Sequence, residues 1–156
     1  MSAPRTCRVR NLIRTRARNR AWNRPEDPSL KCPACRSVMF VVEYDRVELD
    51  ICQRCQGVWF DRGELELVLE QDETFEPTVT TTSERKRDCP LCRRTMGKVN
   101  IGPAGGVLVD VCPSGCGLWF DRGEVGDLIG ELRDAGRTLP ASVTGFLSRM
   151  FPAADR

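Results

Sequence analysis

Eight of the nine cysteines in this chain fall into four close pairs, and thiols at that spacing either bind metal or join as disulfides. Cys32 and Cys35 precede Cys52 and Cys55, and Cys89 and Cys92 precede Cys112 and Cys116. A pair two or three residues apart closes a tight loop with both sulfurs on one side. Two such loops brought together offer the four donors of a tetrahedral ion. The pattern predicts two zinc ions, one on Cys32, Cys35, Cys52 and Cys55, the other on Cys89, Cys92, Cys112 and Cys116. The chain has no histidine, so both sets are all-thiolate, which suits a closed structural metal rather than one with an open water position.

Disulfides, dithiol redox chemistry and a rubredoxin-like iron site are the competing readings. The N-terminus is basic without a following apolar run, unlike a secretory signal, which favours a reducing, cytoplasmic setting and no membrane association. A redox motif would need one pair at a strand-to-helix junction, not four pairs in two ordered sets. Cys7 stands outside the pairs and is not an expected ligand.

The cysteine frame is duplicated. Each set is followed by the same six residues, Trp59-Phe60-Asp61-Arg62-Gly63-Glu64 and Trp119-Phe120-Asp121-Arg122-Gly123-Glu124. The copies are offset by 57 residues at the first cysteine pair and by 60 from the second pair onward, so they differ by three residues in one loop. Chains below about 40 residues rarely bury enough surface to fold unaided. Structural zinc contributes about 10–16 kcal/mol of apparent binding free energy, which becomes folding free energy. The metal is expected to act as the core of each copy.

The elements that must position the cysteines follow from residue alternation. Val38, Phe40, Val42 and Tyr44 alternate with Met39, Val41 and Glu43, a strand pattern. Asp45-Arg46 makes a turn, and Val47, Leu49 and Ile51 alternate with Glu48 and Asp50 up to Cys52. This hairpin returns the second cysteine pair to the first. The second copy repeats it from Met96 to Ile101 and from Val107 to Val111, across the wider loop Gly102-Pro103-Ala104-Gly105-Gly106. Leu65, Val68 and Leu69, and then Val125, Leu128, Ile129 and Leu132, form helical stripes. Pro140 suits the first turn of a last helix with an apolar stripe of Val143, Phe146, Leu147 and Met150.

The Asp and Glu of each repeated block are three residues apart just before a helical stripe, the spacing of a capping box with Asp in the capping place. The Trp just past each second knuckle is placed to cover the metal cluster and exclude water. Reading the same carboxylates as an acid–base pair lacks support from any histidine or open metal ligand, so no enzymatic activity is expected.

Charge is distributed unevenly. Residues 1–24 hold eight arginines and no acid, leaving 16 basic residues against all 22 acidic ones in 25–156. The overall +2 thus hides a tail of +8 and a body of −6. The tail reads as a disordered extension, as residues from a start codon placed too far upstream, as an Arg-rich targeting sequence, or as an arm gripping nucleic-acid phosphates. In the last case Arg8, Arg10, Arg14, Arg16, Arg18 and Arg20 are the candidate contacts. Trp22 is placed to stack on a base or to cover apolar surface.

These residues resemble the TFIIB-type zinc-ribbon family. The resemblance rests on Cys32-Pro33-Ala34-Cys35, Asp50-Ile51-Cys52-Gln53-Arg54-Cys55 and Gly57-Val58-Trp59-Phe60-Asp61-Arg62-Gly63-Glu64-Leu65. In the second copy it rests on Cys89-Pro90-Leu91-Cys92, Asp110-Val111-Cys112 and Gly117-Leu118-Trp119-Phe120-Asp121-Arg122-Gly123-Glu124. It spans residues ~30–71 and ~88–134 and implies a zinc-bound ribbon, and through its name a link to transcription. The second copy departs at its last ligand. Cys112-Pro113-Ser114-Gly115-Cys116 has three intervening residues, and Cys116 stands at the position of Gln56. That site is expected to be the weaker or more reactive one.

The sequence therefore predicts a small, metal-stabilised, mainly β protein with short helices: two tandem zinc ribbons, each an antiparallel hairpin followed by a short helix. The expected segments are an Arg-rich, disordered tail over 1–29, ribbons over 30–71 and 88–136, a linker over 72–87, and an amphipathic helix and tail over 137–156. The expected function is non-enzymatic zinc-dependent binding of nucleic acid or of the transcription or translation machinery. A protein-interaction adaptor and a thiol-redox or zinc-release sensor are the alternatives.

Overall fold

The computed structural model describes residues 30–45, 47–69 and 77–151, and the tail arginines and Trp22 lie outside them. In the first copy, β1 (Phe40–Tyr44) and β2 (Val47–Ile51) form the expected hairpin, with Phe40 opposite Ile51 and Tyr44 opposite Val47. In the second, β5 (Gly97–Ile101) and β6 (Val107–Val111) do the same. The wider loop of this second hairpin is held by α2 (Glu124–Asp134), whose Glu131 carboxylate accepts the Ala104 N–H at 3.1 Å.

A hairpin followed directly by a helix is incomplete as a description of either copy. The Trp-Phe segment between them is a third strand, β3 (Val58–Asp61) in the first copy and β7 (Gly117–Phe120) in the second. The helices α1 (Glu64–Leu69) and α2 follow these strands. Branched and aromatic residues suit a strand here, and pairing on both sides buries the successive residues Val58, Trp59 and Phe60 together. Each has one partner in its own hairpin, β2 for β3 and β6 for β7, and a second in the other copy.

β3 and β7 pair antiparallel, with Trp59 opposite Trp119, Val58 opposite Phe120 and Phe60 opposite Leu118. Because corresponding residues are 60 apart, this register is a local two-fold centred on the Trp pair. The result is one seven-stranded antiparallel sheet among the described residues, in the order β1-β2-β3-β7-β6-β5 with Thr78–Val79 (β4) at the far edge. The short β4 comes from the expected linker and pairs with the outer edge of β5. The two ribbons are halves of one sheet rather than beads on a string.

Strand alternation gives the sheet two faces with different chemistry. One face buries Val58, Phe60, Val109 and Phe120 against Leu65, Leu69, Leu128, Ile129 and Leu147 from the helices. Phe60 and Phe120 meet edge to face there, with centroids 5.2 Å apart. The last helix, α3 (Ala141–Met150), begins just after Pro140 and buries Val143, Phe146 and Leu147 of its expected stripe, while Met150 stays exposed. Phe146 stacks on Tyr44 of the first hairpin at 4.0 Å, so the C-terminal helix reaches back across the sheet. The other face holds both Trp side chains among the cysteines, Leu30, Met39 and Met96.

Candidate metal centres

Each cysteine pair sits on a tight knuckle built by backbone hydrogen bonds. In the first three knuckles the carbonyl of the leading cysteine accepts an N–H four residues on: Arg36 to Cys32 at 2.9 Å, Gln56 to Cys52 at 2.8 Å and Arg93 to Cys89 at 2.9 Å. The residue after the second cysteine turns left-handed in all three, with φ of 66° at Arg36, 61° at Gln56 and 66° at Arg93. Isolated bridges, Lys31 with Val38 and Asp88 with Thr95, close the base of the first knuckle in each copy.

The four knuckles converge in two sets. The sulfurs of Cys32, Cys35, Cys52 and Cys55 all lie within 4.8 Å of one another, and so do those of Cys89, Cys92, Cys112 and Cys116. Individual Sγ–Sγ separations are 3.5 Å for Cys32–Cys55, 3.4 Å for Cys35–Cys52 and 3.5 Å for Cys92–Cys112. Tetrahedral zinc with Zn–S bonds of about 2.3 Å needs sulfurs about 3.8 Å apart. The donor sets fit, and the two clusters are zinc sites. Backbone N–H groups turn toward the sulfurs as a second shell: Ala34 and Cys35 donate to Cys32 Sγ at 3.3 and 3.4 Å, and Ser114 to Cys112 Sγ at 3.4 Å.

Without metal, burial and local hydrogen bonds set the thiols apart in proton affinity. Desolvation pushes Cys32 well above the ordinary thiol range, Cys55 up to about 11 and Cys89 up to about 12. Cys35 is held down at about 6, first by its hydrogen bond with the Ser37 side chain. At Cys92 burial works upward, but the Arg94 backbone N–H and neighbouring thiols bring it to about 7. Zinc must displace protons from the buried thiols, so loading releases acid.

The fourth knuckle reaches its ligand by moving the turn. Gly115 N–H bonds to the Cys112 carbonyl at 2.9 Å, one residue sooner than in the other knuckles, and Gly115 carries the left-handed φ of 70°. The outer closure is kept: Cys112 N–H to Gly117 O at 3.0 Å matches Cys52 N–H to Gly57 O at 2.9 Å. A glycine takes the strained position at no steric cost, and Cys116 enters the cluster from the place of Gln56.

The repeated carboxylates are occupied structurally, and one of them differently from a full capping box. Glu64 and Glu124 accept the backbone N–H of Asp61 and Asp121 at 2.7 and 2.6 Å, which is the expected Glu half. The Asp half is redirected: Asp61 and Asp121 accept the indole N–H of Trp59 and Trp119. Gly123, with φ of 89°, takes the capping position of α2 without a side-chain bond.

The second copy carries an ion network, buried at Asp110 and Lys98, that the cysteine pattern did not announce. Arg87 donates to Asp110 at 2.9 Å and to Asp121 at 2.6 Å, and Lys98 reaches Asp110 at 3.1 Å and Glu84 at 2.7 Å. Burial raises the Asp110 carboxyl in spite of these cations, and Oδ1 of Asp110 is buried with no hydrogen-bond partner. Lys98 occupies the place of Val41, so the copies differ in chemistry at the sheet's outer rows.

Gly57 and Gly117 stand in the repeated motif two residues before each Trp, but the motif did not say what they touch. A Cβ on Gly57 would overlap Cζ2 of Trp119 and stand 2.9 Å from the Phe120 carbonyl. One on Gly117 would stand 2.8 Å from Cζ2 of Trp59. Each indole therefore covers the second knuckle of the other copy. The Arg62 N–H likewise crosses to the Cys116 carbonyl at 3.1 Å. Arg36, Arg54, Arg93 and Arg94, next to the ligands in the chain, are all exposed, and Arg94 is tied to Ser114 Oγ at 2.9 Å.

Residues 31–71 match the TFIIB-type zinc ribbon, a family described as transcription factor zinc-finger. The family match stops there, although the second cluster has the same four-thiolate geometry. No curated protein and no solved structure matches the chain. No helix among the described residues is long and apolar enough to cross a membrane.

Proposed function

We propose that the protein is a non-enzymatic, zinc-stabilised binding module whose ligand is nucleic acid or a nucleic-acid-bound assembly of transcription or translation. The observation that carries this reading is the placement of arginine at the zinc end of the sheet. Arg36, Arg54, Arg62, Arg93, Arg94 and Arg122 all lie in or beside knuckles or their flanking turns, and all are exposed. The acids of the repeated blocks are turned to structural bonds instead. Exposed guanidinium groups suit phosphate oxygens, and the eight arginines of residues 1–24 add to the same charge. Four thiolates fill each zinc, which leaves no position for an activated water. The family match to a transcription-factor ribbon points the same way.

A protein-interaction adaptor is the second reading, favoured by the exposure of Val38, Phe40 and Val41 on the first hairpin. Binding of fluorescent duplex and single-stranded oligonucleotides across a salt series separates the two. If four to six arginines engage phosphates, log K against log salt falls with a slope of about −4 to −5 on duplex DNA. Removal of residues 1–24, and separately Arg-to-Gln changes at the knuckles, assigns that slope to the tail or the sheet. Absence of salt-sensitive binding in the whole chain sinks the nucleic-acid reading and leaves the adaptor.

A further inference from the structure

We infer that each zinc site is completed by the other repeat, so that the two ions load as a coupled pair. Each second knuckle is roofed from across the two-fold. Trp119 lies against Gly57, which follows Cys55 and Gln56, and Trp59 lies against Gly117, which follows Cys116. Both contacts are too close to admit a methyl group, so the indole rather than solvent or its own knuckle defines that surface. The chain is tied across a second time where the Arg62 N–H meets the carbonyl of the ligand Cys116. On the other side, Arg122 and Gly123 line one cavity together with Cys52, Gln53 and Gln56 of the first site.

The two clusters also share one buried core. Cys32, Cys52, Cys89, Cys112, Cys116, Trp59 and Trp119 belong to a single buried apolar group that spans both halves. Beneath it, β3 and β7 hydrogen-bond to each other and to nothing else on that side. A metal-free first site leaves Cys52–Gly57 held by its backbone bonds alone, and Trp119, with its N–H still on Asp121, then loses the firm surface its ring packs against. Trp119 is three residues from Cys116, so the disturbance arrives at a ligand of the second site. The same path runs in reverse through Trp59 and Gly117. Linkage makes the coupling reciprocal: the factor by which the first ion tightens the second is the factor by which the second tightens the first. Trp59 and Trp119 are thus positioning residues for the site in the opposite repeat.

The test uses the full zinc-loaded chain, with a chelator in excess and alkylation of freed thiols mapped peptide by peptide. Trp119→Leu should speed labelling of Cys52 and Cys55 by about tenfold, the lower range for loss of an outer-shell partner, and Trp59→Leu should do so at Cys112 and Cys116. Trp119→Phe should restore most of the protection. Labelling that rises only in the mutated Trp's own repeat overturns the inference. Should the Leu variants fail to fold, paired ligand removal decides it: Cys52→Ser with Cys55→Ser should weaken zinc at the second site, and Cys112→Ser with Cys116→Ser should weaken the first by the same factor. A remaining site with unchanged zinc affinity in either variant overturns it equally.

Discussion

Trp59 and Trp119 stand directly opposite each other where β3 pairs with β7, and this one contact turns a sequence duplication into a two-fold structure. Each indole donates its N–H to the Asp two residues on, which fixes the ring, and Cζ2 of each ring lies against the other copy's glycine. Structural zinc, sheet pairing and aromatic burial therefore meet at the same place.

Zinc removal is the broadest prediction. The reduced chain should carry two zinc ions, and stripping both should abolish the sheet's far-ultraviolet signature rather than loosen it, because apparent binding free energies of about 10–16 kcal/mol per structural site exceed typical domain stability. Metal analysis giving one ion, or a metal-free chain with an intact circular dichroism spectrum, would contradict the assignment.

Glycine at the crossing points should be irreplaceable. Gly57→Ala and Gly117→Ala each force a methyl group into an indole and a backbone carbonyl, and overpacking of this kind costs about 1–3 kcal/mol. Gly130→Ala, where a Cβ meets nothing within 4 Å, should be neutral or slightly stabilising. Thermal or denaturant unfolding of the three zinc-loaded variants gives the comparison, and equal stabilities would show that the indoles can move aside.

The fourth knuckle should depend on Gly115. Gly115→Ala places a side chain at φ of 70° and should cost about 1–2 kcal/mol, with earlier zinc loss from Cys112 and Cys116 than from the first site under a titrated chelator. Exchanging Gly115 with Cys116 restores the spacing of Cys52–Cys55 and moves the left-handed position back to the place of Gln56. Tighter zinc in the exchanged chain supports a geometric handicap in the native knuckle; unchanged affinity shows that the shifted turn delivers the thiolate equally well.

Glu124 should make stability fall as pH rises through neutrality. Burial, working against the Asp121 N–H that bonds to it, raises this carboxyl from 4.5 to about 7. Since the folded value lies above the unfolded one, its contribution is fully present below about 4.5 and is lost as pH passes about 7. Glu124→Gln keeps an oxygen acceptor for Asp121 and removes the titration. The stability difference between Gln variant and parent should therefore grow in the variant's favour from pH 6 to pH 8.5. A difference that stays flat over that window would place the native pKa elsewhere.

Residue type and spacing alone pointed to the ligands, the metal, the two hairpins and the three helices among the described residues. Four thiol pairs have little chemistry open to them except a metal, and period-two or helical alternation is a local property written into neighbouring residues. The departure at Cys116 was also legible, because counting from Cys112 to Trp119 exposes a shifted ligand without any coordinates. Tertiary structure decided what no local pattern encodes. Val58–Asp61 and Gly117–Phe120 became inner strands because each pairs with its own hairpin on one side and with the other on the second, and a strand's hydrogen bonds are satisfied only by other chain segments. The Asp61 and Asp121 carboxylates serve the indoles rather than the helix ends because a buried N–H must find an acceptor, and that demand arises only once the Trp pair is buried. Arg87 and Lys98 meet Asp110 from positions 23 and 12 residues away for a similar reason: a carboxylate that pairing of β6 with β7 takes out of water needs cations nearby.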